Sequence, residues 1–162
     1  MVIVVMGVSG AGKSTVGRRL ARRLGWPFFE GDDYHPSANV AKMSGGEPLT
    51  EDDRRPWLEA LARLVAAINE SGAGAVLACS ALSHLSRERL RSRSQEVVFV
   101  HLRGSIELLR ERLAARAEHF FPSDLLESQY AALQAPEDAL TVDVAQPPDD
   151  IVRRIVAELA LG

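Results

Sequence analysis

The residues Gly7-Val8-Ser9-Gly10-Ala11-Gly12-Lys13-Ser14 fit G-x-x-x-x-G-K-[ST], a spacing built to hold phosphate. Glycines at these places let the backbone curl, so that successive N–H groups point inward at phosphate oxygens. Lys13 is expected to reach the β- and γ-phosphates of a nucleoside triphosphate as a flexible point charge, which makes it a candidate catalytic residue. The Ser14 hydroxyl is the expected ligand for Mg²⁺. The candidate nucleotide cradle is thus Gly7, Ser9, Gly10, Ala11, Gly12, Lys13, Ser14 and Thr15. The pattern implies ATP or GTP and leaves the reaction open.

A second group of chemically capable residues follows at Glu30-Gly31-Asp32-Asp33. P-loop ATPases hold their second Mg²⁺ anchor as an Asp at the tip of a central strand. Here the third and fourth predicted strands end Ala78-Cys79-Ser80 and His101-Leu102-Arg103, with no acid at either tip. No Asn-Lys-x-Asp run exists to read guanine. The carboxylates after the second strand could serve a water on Mg²⁺ and hold a substrate hydroxyl, which suits a kinase for a small alcohol. Gly-Asp-Asp-Tyr-His-Pro is also ordinary turn chemistry, and that reading stands beside the functional one.

The elements that must position these residues alternate. Val2–Met6 reads as a buried strand, and Lys13–Leu24 as a helix with Val16, Leu20 and Leu24 on one face. Further strands are expected at Pro27–Phe29, Ala75–Cys79, Val97–Leu102 and Leu140–Val144. Helices are expected at Pro36–Met43, from Thr50 to about Ser71, at Ile106–Ala115, Ser123–Leu133 and Asp149–Leu161, and Arg87–Arg93 is expected to be part of another. Thr50-Glu51-Asp52-Asp53 resembles a capping box with Asp in place of Glu. Glu30–Pro36 and Arg116–Pro122 read as irregular. The alternation predicts an α/β fold: a five-stranded parallel sheet with helices on both faces, its loops at the carboxyl ends of the strands holding the ligands.

The 162 residues are expected to form one domain. A net charge of −3 gives no reason to expect nucleic acid. No apolar run approaches the ~20 residues of a membrane span. The opening MVIVVMG reads as a strand and not as a signal peptide. Cys79 is the single cysteine, which excludes an intrachain disulfide and suggests the cytoplasm. Seventeen arginines accompany only two lysines, Lys13 and Lys42, so lysine persists at one position where the phosphate loop demands it.

At these residues the chain resembles the gluconokinase family, within the shikimate-kinase-like P-loop kinases. Met6–Ser14 is similar to its phosphate loop, and Gly31-Asp32-Asp33-Tyr34-His35-Pro36 to its G-D-x-x-H-P segment. Asn39-Val-Ala-Lys42-Met43 with Gly46-Glu47-Pro48-Leu49, then Asp53-Arg54-Arg55-Pro56-Trp57-Leu58, then Cys79-Ser80-Ala81-Leu82, follow in the family's order. Arg116-Ala-Glu-His119-Phe120-Phe121 resembles the R-x-x-H-F lid, and Ser128-Gln129-Tyr130 through Leu133 resembles S-Q-[FY]-x-x-L. After C-S-A-L the chain departs: Ser83 and Ser86 stand where the family has Lys and Tyr, with Arg87 in register.

The resemblance implies the three-layer P-loop kinase fold with a short lid over about residues 116–122, and transfer of phosphate from ATP, with Mg²⁺, to gluconate. It casts Asp32 as the group that orients the acceptor hydroxyl and takes its proton, with His35 bonding acceptor hydroxyls or only packing the loop. Glu30 would hold a water of the Mg²⁺ shell or be a solvated strand-end acid. Arg54 would pair with the acceptor carboxylate, its planar fork suiting a two-oxygen anion, or with Glu51 or Glu47 on the surface. Arg87 carries the same expectation more weakly, and His119 completes the acceptor set. Arg116 is the expected lid cation on the transferring phosphate, Arg112 its neighbour on the nucleotide or only a helix-face charge, and residues 143–148 the adenine loop. A homodimer is the family's usual state. The rivals are a shikimate-type or nucleoside-monophosphate kinase and a nucleotide-binding module without turnover. A monophosphate kinase needs several arginines around its acceptor, and residues 31–58 offer only Arg54 and Arg55.

Overall fold

A computed structural model describes residues 1–116 and 123–162. Its frame is a parallel sheet of β1 (Val2–Met6), β2 (Phe28–Glu30), β3 (Ala75–Ala78), β4 (Val97–Arg103) and β5 (Leu140–Asp143), in the order β2-β3-β1-β4-β5. The helices among the described residues are α1 (Lys13–Leu24), α2 (Ser37–Ser44), α3 (Glu51–Glu70), α4 (His84–Arg91), α5 (Ile106–Ala114), α6 (Ser123–Ala132) and α7 (Pro148–Glu158).

Strand β1 is apolar at every position because both of its faces are covered. Ile3 and Val5 pack among Val16 and Leu20 of α1 and Ile151 and Ile155 of α7. Val2, Val4 and Met6 face the opposite way, onto Trp57, Leu58, Leu61 and Val65 of α3 and Leu90 of α4. The sheet reverses its winding at β1, with β3 on one side and β4 on the other, which opens a crevice at the carboxyl end of β1.

Several boundaries differ from those expected. Strand β3 stops at Ala78, one residue early, while the Cys79 N–H still reaches Val5 O at 3.1 Å. Helix α4 reaches back to His84, where the Ser83 Oγ accepts the Ser86 N–H at 3.1 Å and caps it, and it stops at Arg91, short of Arg93. The segment after β2 is regular: Gly31–Tyr34 form a 3₁₀ turn closed by the His35 N–H to Asp32 O bond of 3.2 Å. The capping box at α3 forms with Asp. Thr50 Oγ1 accepts the Asp53 N–H at 3.1 Å and Asp53 Oδ2 accepts the Thr50 N–H at 2.9 Å.

Candidate active site

Two glycines set the local geometry. Gly12 has φ 93°, a left-handed conformation that reverses the chain into α1. Gly31 lies so close to the Ala78 carbonyl of β3 that a Cβ would clash, and this contact holds the acidic turn down on the end of the sheet. Between them the two loops form the walls of a cavity of about 650 Å³. Ser9, Gly10, Gly12, Lys13 and Ser14 line one side; Glu30, Asp32, His35 and Arg54 line another. Trp57, Leu82, Ser83, Ser86, Leu113, Arg116 and Gln129 enclose the rest.

Lys13 folds over the loop, its Nζ donating to Val8 O at 3.0 Å. Burial lowers its pKa; Asp32, Cys79 and Glu30 pull it back up, and Arg116 opposes them. The Ser14 hydroxyl donates to the Glu30 carboxylate. Burial raises the Glu30 pKa, against the Ser14 hydrogen bond that favours the ionised form. Both are hard oxygen donors. Among the described residues no cluster of three or more His, Cys, Asp or Glu could hold a metal on protein ligands alone. A hydroxyl plus one carboxylate suits Mg²⁺, which keeps several waters and shares its shell with substrate phosphates.

The Asp32 side chain is 70% exposed, with its Oδ1 3.8 Å from His35 Nε2, whereas the His35 side chain is only 3% exposed. The His35 ring stacks on Trp57, centroids 4.0 Å apart and planes 18° apart. Trp57 Nε1–H in turn donates to Gly31 O at 2.8 Å, so the indole supports the acidic turn and its histidine together. Burial lowers the His35 pKa, with Asp32 acting in the opposite direction.

Arg54 reaches the cavity wall, but its guanidinium is engaged by Leu49 O at 2.9 Å and Glu51 Oε1 at 2.7 Å. Arg87 is not brought to the cavity. Its guanidinium is buried and donates to Ala81 O at 2.7 Å, Leu82 O at 3.1 Å and Gln134 O at 2.7 Å, with His84 Nδ1 at 2.9 Å. Every one of those partners belongs to the scaffold, so in this structure Arg87 has the contacts of a brace and does not line the cavity expected to hold the acceptor. Lys42 pairs with Asp53 Oδ2 at 2.8 Å, which with the Thr50 hydrogen bonds holds the pKa of that carboxyl at about 2.

A second cavity of about 270 Å³ adjoins the first, bordered by Thr15, Arg112, Arg116, Gln146, Pro148 and Ile151. Arg112 donates to Val144 O there, and Gln146 Nε2–H to Asp143 O at 2.7 Å, so the expected adenine loop forms one rim. Arg116 borders both cavities. His119 and the rest of the expected lid, residues 117–122, lie outside the described residues.

Trp57, Asn39 and Gln129 carry parts of this site that the sequence reading did not assign. Gln129 Oε1 accepts both the N–H and the hydroxyl of Ser9 at 2.9 Å, which joins α6 to the phosphate loop. Its place in S-Q-[FY] was the available signal. Trp57 was legible as an apolar helix position inside a family motif, but not as a hydrogen-bond donor, since its indole N–H partner is distant in sequence.

The shikimate kinase family model matches residues 9–160. A gluconokinase from Gluconobacter oxydans is 46% identical over 157 residues, covering 95% of this chain and 88% of that protein. The crystal structure of a gluconokinase from Sinorhizobium meliloti is 48% identical, with a TM-score of 0.89 over 98% of this chain and 90% of the other. An unliganded sugar kinase from a Janibacter species superposes with a TM-score of 0.93 at 39% identity, over 99% and 95% of the two chains.

Proposed function

The chain belongs to the gluconokinase family of shikimate-kinase-like P-loop kinases, and from that premise we propose that it transfers the γ-phosphoryl group of ATP to D-gluconate, giving 6-phosphogluconate. The observation that carries this reading is the convergence of Lys13 and Asp32 on one cavity, with a second carboxylate, Glu30, bonded to Ser14 beside them. A phosphate-binding cation and a candidate base thus face the same volume, which is large enough for a sugar acid against a triphosphate.

In the transfer the acceptor hydroxyl oxygen bonds to Pγ as the bond from Pγ to the β,γ-bridging oxygen breaks. The electron pair leaves on ADP, and Asp32 takes the hydroxyl proton. The protein's work is positioning and charge neutralisation. The backbone N–H groups of the Gly7–Lys13 turn hold the phosphates and Lys13 places its ammonium on them. Ser14 and Glu30 are the residues that would hold Mg²⁺, Ser14 directly and Glu30 through a water. When bound, that ion neutralises charge on the β- and γ-phosphate oxygens. Arg54 supplies the cation for the acceptor carboxylate by exchanging its Glu51 partner, and Arg116 lies between the two cavities, where it can follow the transferring group. Arg112 and the loop after β5 border the nucleotide base. The one cysteine, Cys79, is buried with its thiol pushed up to about 12 by that burial, so it is an inert core residue; a chain with a single unpaired cysteine suits the reducing cytoplasm. No described helix is long and apolar enough to cross a membrane.

A coupled assay of ADP release over gluconate, related sugar acids, shikimate and nucleoside monophosphates tests the proposal. Turnover with gluconate above all other acceptors is expected. Preference for shikimate or a monophosphate, or ATP binding with no acceptor-dependent ADP release, would overturn it.

A further inference from the structure

His35 is held far more rigidly than a hydroxyl-binding surface histidine requires. Asn39, on α2 and 3% exposed, donates from Nδ2 to Asp53 O at 2.8 Å and stands 3.2 Å from His35 Nδ1. A backbone carbonyl can only accept, so the first contact fixes which end of the Asn39 amide is nitrogen. That nitrogen has a second hydrogen and no lone pair to offer. His35 Nδ1 must therefore be the acceptor, and an accepting Nδ1 carries no proton. The remaining proton of the neutral ring sits on Nε2, the atom that faces Asp32. Stacking on Trp57 opposes rotation of the ring into the alternative arrangement.

We propose that Asn39 is a positioning residue that locks His35 as the Nε2–H tautomer, so that its imidazole N–H is presented beside the Asp32 carboxylate. The separation of 3.8 Å is too long for a direct hydrogen bond. An oxygen about 2.8 Å from each atom fits at the apex of the triangle they form. A hydroxyl at that apex accepts from His35 and donates to Asp32, which fixes its direction as well as its place. His35 is then a donor to the acceptor and not a base, and the base is left to Asp32. Asp32 is the charged group facing the ring from the 3₁₀ turn, while α3 presents the neutral Trp57 and α2 the neutral Asn39. This inference rests on the kinase reading for the identity of the hydroxyl, but the tautomer is a property of the protein alone.

Long-range ¹H–¹⁵N spectra of the imidazoles in the full labelled chain read the tautomer directly. The four histidines are few enough to assign with His35→Gln. The expected signature is a pyrrole-type Nε2 and a pyridine-type Nδ1 for His35 at neutral pH. A proton on Nδ1, or a cationic ring, overturns the inference. In Asn39→Ala the single tautomer should give way to a mixture, and kcat with gluconate should fall about 10-fold or more with the ATP KM unchanged, as when the partner that orients a functional histidine is removed. Gln at 35 keeps a donor near the Nε2 position without needing Asn39. Adding Asn39→Ala to His35→Gln should therefore cost little further activity, and a full additive loss would reduce Asn39 to a packing role. Spectra need no turnover. A correct tautomer in a protein inert toward gluconate would sink the functional reading and leave this one standing; an Nδ1–H ring in an active kinase would do the reverse.

Discussion

Asp32 and Arg54 line the same cavity in different states. The Asp32 carboxylate is mostly exposed and free to receive a substrate, whereas Arg54 is 24% exposed and bonded within its own helix turn and to Leu49 O. For Asp32→Asn, kcat should fall by at least ~10²-fold while ATP binding, followed by calorimetry, is retained. Near-normal turnover would remove Asp32 from proton transfer. For Arg54→Ala the gluconate KM should rise much more than the ATP KM, because an exposed i,i+3 pair with Glu51 is worth little and can be exchanged for a substrate carboxylate. Equal changes in both constants would leave the guanidinium a purely structural partner of Glu51.

At the scale of elements, the join between β3, α4 and the loop after α6 depends on one buried cation. Arg87 gathers the carbonyls of Ala81, Leu82 and Gln134, and Gln134 Oε1 also accepts the His84 N–H at 2.7 Å. Removing the guanidinium takes the side-chain donor from the buried Ala81 carbonyl and from Gln134 O, while Leu82 O keeps the Gln134 N–H at 2.8 Å. Arg87→Leu should lower stability by about 1–3 kcal/mol in urea unfolding, the usual cost of leaving a buried acceptor unpaired. The ratio of gluconate to ATP KM should stay as in the parent in the folded fraction. A selective rise in gluconate KM would instead restore Arg87 to the acceptor site. Helix α3 shows the complementary case. Its Thr50–Asp53 box and the Lys42–Asp53 pair hold the Asp53 carboxyl at about 2, so the stability it contributes is complete above its ordinary 3.8 and is lost as pH falls through 2.

At the scale of the molecule, the site works against the stability of the fold. Strand β2 delivers Glu30 to the end of the sheet next to Ser14, and burial there raises its pKa. Ionising a group whose folded pKa is raised costs more in the folded chain than in the unfolded one. That penalty is absent below the ordinary carboxylate range, grows as pH rises above it and is complete once pH exceeds the raised value. Glu30→Gln cannot ionise, so its thermal midpoint should equal the parent's in acid and exceed it near neutral pH. Its activity at limiting Mg²⁺ should drop by about 10-fold. A midpoint that stays below the parent's across the pH range would show that the carboxylate is needed for folding and not held there for function.

The phosphate loop, the five strands, the capping box and the acidic turn were all readable in the chain, because each rests on neighbours in sequence: glycine freedom at Gly12, apolar runs in β1, a three-residue reach from Thr50 to Asp53. Gluconate as acceptor followed from the order of short motifs, which also lie along the chain. What the residues could not disclose was which side chains meet across the sheet. Arg54 lies inside a family motif and Arg87 just past one, and only the tertiary structure shows that the carbonyls of Ala81, Leu82 and Gln134 gather around Arg87. The strand order, the Trp57 bond to Gly31 and the Asn39–His35 contact were settled in the same way. A hydrogen bond is directional and short, so its partner is chosen by tertiary packing, whereas turns, caps and apolar periodicity are chosen by the residue and those beside it.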